Sequence, residues 1–437
     1  MGGKSAFALV ALTSVTFMGL SSGSSLAAGL PQTIRPNVVR SFGGSSTAHR
    51  GSLDTSFGNA GKVITKVAGG TGQCFQKAAL QSDGKIVAAD CVSQGLRLVR
   101  YLTNGSLDPS FGKGGIDVLG LQNASLNAVT SQLDGKLLVA ATLTNTTSGI
   151  ARVNSNGTVD GTFGNGGIAT VQSPIFVGLG HAMVVLSDGR IVVDAGEISN
   201  QQGQGAAFGL ARFLPNGTLD STFGKNGFAL INGSGQVGGL AVAQDGTLDA
   251  AISQGSGAPS TYAVHFSANG GFIAAPPSGS LAVIASTSNP ITFQPDAKIV
   301  FVQGGGTRST LENARLTRYN SIDPNFQTPQ YSFFSGLRAI SGVNVITVEP
   351  NGGILVAGAG GPFEGEFGLG RFNPNGFLDA GFGSGGFVGT TFFRGSGTGA
   401  SVEALLIQPD GKIVAVGGTY NNSTGACDIA LARYFGP

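Results

Sequence analysis

The chain has 437 residues, a formal charge of +2, 11% charged residues and 74 glycines. Lysine and arginine scattered one turn at a time give no electrostatic case for nucleic acid, and 41% hydrophobic content argues against disorder. A glycine share more than twice the ordinary ~7% points to a chain built from many tight turns.

The N-terminus reads as a targeting segment. Lys4 supplies the positive start, Ala6–Leu20 the apolar stretch, and Ser25-Leu26-Ala27 the small residues of a cleavage site. The stretch is too short for a comfortable membrane span, and a buried N-terminal helix is the alternative. The expected division is a signal peptide over 1–27, a polar lead-in with Pro31 and Pro36 over 28–50, and one repeat domain over 51–437. Export to the secreted fraction, the periplasm or the cell envelope follows from this reading, with no membrane span. No cysteine precedes Cys74, so a lipid anchor is not indicated.

From residue 51 the chain repeats itself in three beats. Gly-Ser-Leu-Asp-x-Ser-Phe-Gly at Gly51–Gly58 returns at Gly105–Gly112, and weaker versions follow at Gly157–Gly164, Gly217–Gly224, Ile322–Phe326 and Gly376–Gly383. The second beat is a Gln-x-Asp-Gly-Lys turn centred on Asp83, Asp134, Asp188, Asp245, Asp296, Asn351 and Asp410. The third is an arginine followed by an aromatic or apolar residue, as in Arg100-Tyr101, Arg152-Val153, Arg212-Phe213, Arg318-Tyr319, Arg371-Phe372 and Arg433-Tyr434, with His265-Phe266 in the fifth place.

Each unit reads as four short strands. In the first these are Gly61–Lys66, Gln76–Gln81, Lys85–Ala89 and Leu96–Leu102. Runs rich in Val, Ile, Phe and Tyr, bounded by Gly and Asn, are strand signals. The Asp-Gly hairpins fit a type I turn with glycine in the left-handed position. Seven such units, of about 54 residues each, predict an all-β, seven-bladed β-propeller of four-stranded antiparallel blades. An open β-solenoid is the runner-up, but its rungs run to only about 20–30 residues.

The Leu-Asp-x-Ser-Phe-Gly, Gln-Pro-Asp-Gly-Lys-Ile-Val and Leu-x-Arg-Tyr sequences resemble the delta-60 repeat of bacterial secreted and surface proteins. The resemblance covers roughly residues 51–437 and implies a propeller-like fold without an established activity. The fifth copy departs most, with His265, Ile273 and Pro276 in place of Arg, Asp and Phe.

The recurrent acids read as construction. A catalytic residue is needed once, whereas these recur. Each Asp can accept backbone N–H bonds in an Asx-type turn, and the Arg eight residues earlier can reach it as a charge-assisted pair. The expected pairs are Arg100–Asp108, Arg152–Asp160, Arg212–Asp220 and Arg371–Asp379. Arg433 has no Asp after it and Asp54 no Arg before it, so ring closure requires those two to meet. His49, His181 and His265 share no metal-like spacing, no nucleophile elbow or phosphate loop is present, and neither metal nor cofactor is implied. Cys74, Cys91 and Cys427 leave one cysteine over. A Cys74–Cys91 bridge falls one residue off register across its hairpin, and three unbridged thiols are the alternative.

The tight turns and the Asn-Gly-Ser-Leu-Asp connections leave one face of the ring and are uniform. The loops on the other face differ from unit to unit, and individual loops on a rigid scaffold are where specificity usually resides. The strongest patch joins Tyr331, Phe333, Phe334 and Arg338 to Phe392, Phe393 and Arg394. These rings are read either as a glycan, peptide or protein contact or as packing beneath their own loops. The functional expectation is a non-catalytic binding or adhesion module working through the variable face. The alternative is a propeller lyase or hydrolase with an acid at the channel mouth and a metal. The unique acids Asp90, Asp117, Asp194, Glu197 and Asp249 are spread over several units, and nothing in sequence makes them converge.

Overall fold

The computed structural model describes residues 7–8 and 49–437 except 68–76, 145–146, 173–175, 178–181, 199–206, 234, 244–245, 255–259, 275–290, 295–298, 304–309, 317–330, 333–339, 361–365, 393–397 and 422–425. The leader is therefore outside the described residues apart from Phe7–Ala8, which pairs with Gly235–Ala243. No described residue is helical.

The chain is a β-propeller whose described strands fall into seven sheets. One sheet shows the plan. Lys77–Leu80, Ile86–Val92, Gly95–Tyr101 and Ile116–Leu119 lie side by side in chain order, each antiparallel to the last. The tight Ser82-Asp83-Gly84 turn joins the first pair, with Gly84 at φ 82° and Lys85 N–H bonding the Asp83 carboxylate at 3.1 Å. The first strand of each sheet is innermost. Lys77–Leu80 touches Ser125–Ser131, and contacts then pass through Met183–Val185, Gly235–Ala243, Ile291–Phe293, Ile340–Val348 and Thr398–Ile407 back to Lys77–Leu80. These strands surround an axis.

Alternation builds the core. In the sheet just described, Ala78, Leu80, Ile86, Ala88, Val99 and Tyr101 pack against the last sheet, around Ala404, Val414 and Leu431. The intervening Ala79, Val87, Ala89 and Leu98 pack against the next sheet, around Val129, Val139 and Ala151. Side chains on a strand point to opposite faces with period two. A blade is thus apolar on both faces and stable only between neighbours.

The unit boundaries differ from the sequence reading. Lys62–Thr65, grouped there with the three strands after it, is the outermost strand of the last sheet, paired with Ala426–Tyr434 from Lys62↔Ala432 to Thr65↔Ile429. The cause is connection geometry. The segment after each Phe-Gly turns straight back onto the arginine strand before it, as Arg100 N–H bonds Gly115 O at 2.8 Å, whereas a variable loop separates it from the strand that follows. The first described strand therefore closes the last blade. Tyr101 spans the same seam, donating to Thr65 Oγ1 at 2.7 Å.

The cysteines also differ from expectation. Cys91 is free and half-buried, and Cys427 is disulfide-bonded, so the Cys74–Cys91 bridge does not form. Cys91 sits opposite Leu96 inside its own hairpin. Cys427 lies where the seam ladder reaches the variable face. Cys74 lies outside the described residues.

Candidate functional site around the ring axis

The repeated arginines sit in nearly identical knots on the tight-turn face. Arg100 donates from Nε to Asp108 Oδ2 at 2.9 Å, from Nη2 to Ser110 Oγ at 3.0 Å, and from Nη1 to the Ser155 carbonyl of the next blade. Arg152 does the same with Asp160, Thr162 and Pro215 O, and Arg212 with Asp220, Thr222 and Ala268 O. Each guanidinium also stacks on the Phe of its Phe-Gly, with Arg100 4.6 Å from the Phe111 centroid. The glycine after that Phe is obligatory. At Gly112, φ is 52° and an added Cβ would stand 2.2 Å from Ile116 O, while its N–H bonds Asn156 O of the next blade at 2.8 Å. The lysine of the tight turn completes the knot, as in Lys136–Asp160 at 3.0 Å.

The electrostatics are those of engaged carboxylates. The Thr162 hydroxyl, with Lys136, the Thr162 amide and Arg152, holds Asp160 well below the usual range. At Asp54, Asp108 and Asp220 burial pushes upward but is outweighed by the Ser or Thr two residues on and by the neighbouring cations, so all three are lowered.

Two copies vary the theme. His265 bonds Asp249 through Nδ1 in place of an Arg–Asp knot, and Ile273 is exposed. In the sixth copy the Gln opening the tight turn is Glu349, which takes Arg371 Nε at 2.8 Å and Nη2 at 2.5 Å, while Nη1 still reaches Asp379. Burial raises Glu349 against the pull of Arg371. Three of the remaining turn glutamines have a role that their repetition signalled but sequence reasoning missed. Gln81 donates to Gly135 O at 2.7 Å, Gln294 to Gly352 O at 3.1 Å and Gln408 to Gly84 O at 3.4 Å, each a bond to the next blade.

Two axial features remain after these construction bonds. The first is a pocket of about 480 Å³ on the tight-turn face, where the inner strands end at Leu80, Val348 and Ile407. Pro350, Pro409, Pro437 and Leu133 wall it, beside Gln81, Glu349 and Gln408. The second is a set of bulges halfway along the inner strands. The ladder shifts register at Asn127, Gly238, Asn344 and Glu403, each five residues before the residue that opens the tight turn. A bulge re-aims its side chain. Neighbouring blades cover both faces of an inner strand, so a residue there that keeps exposure faces the axis. Asn344 is exposed, and Glu403 and Lys77 are half-buried. Asn344 Nδ2 donates to Glu403 Oε1 at 2.8 Å and Ser401 Oγ at 2.6 Å, linking adjacent inner strands. Burial lowers the Lys77 amine against the opposing charge of Glu403. Burial raises Glu403 against the Ser401 bond, Lys77 and Asn344. The sequence carries the signal. The residues at this place in the seven units are Gln76, Asn127, His181, Gly238, Asn289, Asn344 and Glu403, polar except at Gly238.

The loop patch is only partly visible. Phe333, Phe334, Arg338, Phe393 and Arg394 lie outside the described residues, and Tyr331 is placed only as a strand residue paired with Leu311. Phe392 is half-buried and packs edge-on against Phe367 at 4.5 Å, with Lys62 Nζ 6.0 Å from its ring. The unique acids do not converge. Asp90 pairs with Arg97 in its own blade and Asp194 accepts from Gly196 N–H. Among the described residues no three His, Cys, Asp or Glu side chains are placed to hold a metal ion, and no helix is long and apolar enough to cross a membrane.

The chain resembles the solved puromycin hydrolase at 14% identity and TM-score 0.47, over 88% of this chain and 56% of that one. It resembles an ulvan lyase of polysaccharide lyase family PL25 at 9% identity and TM-score 0.47, over 89% and 94%. It resembles a gluconolactonase from Xanthomonas campestris at 14% identity and TM-score 0.36, over 66% and 84%. Likeness at this level carries no argument about chemistry. No curated protein matches the chain. The family model described as "Domain of unknown function (DUF5122) beta-propeller" matches residues 81–111, 132–163, 186–223, 349–382 and 408–435. Five stretches of this chain are thus similar to the DUF5122 β-propeller repeat, in keeping with its delta-60-like motifs.

Proposed function

We propose that this is an exported, non-catalytic binding propeller that recognises a glycan, peptide or protein through the variable-loop face and the axis beneath it. The observation that carries this reading is the division of labour among charged residues. The recurrent Arg, Asp and Lys side chains are consumed in inter-blade knots on one face, and side-chain individuality is left to the axis and the opposite loops. The disulfide at Cys427 supports an oxidising compartment, as export requires. Screening the purified protein on glycan and peptide arrays, with a metal assay alongside, tests the reading. Specific retention of one ligand class supports it, and indifference to both arrays removes it.

A second reading, a propeller lyase or hydrolase, is favoured by one observation. Lys77 and Glu403 are an amine and a carboxyl on adjacent inner strands that feel each other's charge, and burial moves both toward their neutral forms, as acid–base chemistry near neutrality needs. Turnover of an array ligand that disappears in Glu403→Gln would replace the binding reading with this one.

A further inference from the structure

We infer that Lys77, Asn344 and Glu403 form a saccharide subsite at the ring axis, in which vicinal hydroxyls of a sugar bridge the lysine and the carboxylate. The inference rests on the binding reading above and names its ligand class.

The geometry comes first. The three residues occupy three successive inner strands, Lys77–Leu80, Ile340–Val348 and Thr398–Ile407, so they share one arc of the axis. Two of them are bulge residues, freed from the ladder and aimed inward. Glu403 and Asn344 are about 13 Å, four strand residues, from the tight-turn ends of their strands. That depth admits one or two sugar rings rather than a folded domain.

The donor set comes second. A lysine amine in its charged form only donates, a carboxylate only accepts, and an amide does both. A sugar hydroxyl donates and accepts at once, so adjacent hydroxyls satisfy the whole set. An anion would meet the Glu403 charge, and a cation would meet Lys77. Among the described residues no hydrogen bond or ion pair engages the Lys77 amine, which leaves a donor available at the axis. The burial of both groups strengthens each bond made there, because a polar contact in a low-dielectric channel is worth more than one in water.

The sequence singles out the same level. Asn344 and Glu403 stand where six of seven units put a polar residue, Asn in three of them and Gln, His and Glu once each, while Lys77 lies one residue beyond that place, after Gln76. The mixture makes this level asymmetric around the ring, as an asymmetric ligand needs.

The test uses arrays of neutral, uronate-bearing and sulfated oligosaccharides beside a peptide array, probed with the intact protein and with Lys77→Met, Asn344→Ala and Glu403→Gln. The expected result is oligosaccharide binding that weakens about 10- to 100-fold in Lys77→Met and Glu403→Gln, the cost of losing a charge-assisted hydrogen bond, and about 3- to 10-fold in Asn344→Ala, the cost of losing a neutral one. Asn344 is exposed, so Asn344→Ala keeps the test valid should a variant of the half-buried pair unfold. Oligosaccharide binding unchanged in Asn344→Ala and in whichever of the other two variants fold overturns the subsite while leaving a binding propeller. Peptide binding without oligosaccharide binding does the same. Binding on neither array removes both readings.

Discussion

Arg433 Nη2 lies 2.8 Å from Asp54 Oδ2, joining the final arginine of the chain to the first aspartate of the repeat. Around this pair most of the knot recurs, although Arg433 Nε, unlike Nε of Arg100, makes no hydrogen bond among the described residues. Asp54 N–H bonds Arg433 O at 2.8 Å and Arg433 N–H bonds Gly61 O at 3.0 Å, the guanidinium stacks 4.6 Å from the Phe57 centroid, and Lys412 Nζ is 3.4 Å from the same carboxylate. The seam therefore uses the chemistry of the Arg100, Arg152 and Arg212 knots, with chain continuity replaced by side-chain and ladder bonds.

Asp54→Ala and Asp220→Ala break equivalent knots, one at the seam and one inside the chain. Both should lose about 1–3 kcal/mol, less than the 3–5 of a deeply buried pair because the knots lie near the face of the ring where solvent screens them. Only Asp54→Ala should also speed hydrogen exchange across 62–65 and 426–434, since no turn joins those two strands to hold them in register. Denaturant melts read the first effect and exchange mass spectrometry the second. Equal exchange in the two variants would show that the seam does not depend on its ion pair.

Acid sensitivity follows from the knots. Asp54, Asp108, Asp160 and Asp220 are all lowered in the folded state. A lowered carboxylate adds stability that is fully present above its unfolded value, near 3.9, and is lost as pH falls toward its folded value. The denaturant midpoint should therefore fall steeply below about pH 4. Asp220→Asn should flatten that fall by removing one titrating knot.

Glu349 carries the opposite sign. Burial raises it, so protonation is favoured in the folded state and stability rises as pH falls from its folded value toward the unfolded one, near 4.3. Glu349→Gln restores the residue found at Gln81 and Gln408, and its amide can donate to the next blade. The difference between wild type and variant should shift in favour of wild type as pH drops through that window. A pH-independent difference would mean that Arg371 keeps Glu349 ionised throughout.

Much of this molecule is legible in its sequence because the repeat states each solution several times. The Arg-to-Asp spacing of eight, the Asx turns and the Asp-Gly hairpins are local, and local geometry is what spacing encodes. The blade boundary was not legible, because the strand after Phe-Gly is apolar on both sides of its connection and either neighbour could bury it. The fate of Cys427 was not legible either. It depends on the first and last strands meeting across the seam, a distance that no window of sequence contains. The polar ring was hidden for a different reason. Asn127, Asn344 and Glu403 read as single interruptions of apolar strands until a bulge at each explains why a polar side chain is tolerated there.

The cysteines give a prediction with two arms. An alkylating reagent applied without reductant should label Cys91 slowly, since it is free but half-buried, and should leave Cys427 unlabelled. Cys427→Ser should destabilise by about 2–5 kcal/mol, as loss of a native disulfide typically does, and Cys91→Ser should be close to neutral. Labelling of Cys427 before reduction would remove the bridge.

Phe392 and Phe393 should behave as opposites although they are neighbours in sequence. Phe392 packs against Phe367 at 4.5 Å beneath its own loop and joins the core around Leu405 and Tyr434. Phe392→Ala should therefore cost stability, by about 1–3 kcal/mol for a ring only half removed from water, with ligand binding altered only through that loss. Phe393 lies outside the described residues, and the sequence reading makes it a ligand-contact candidate. Phe393→Ala should leave the melting temperature within about 1 °C, corresponding to a few tenths of a kcal/mol, and weaken binding on the arrays. Should Phe393→Ala unfold the protein as Phe392→Ala does, both rings are packing elements and the aromatic patch has no part in recognition.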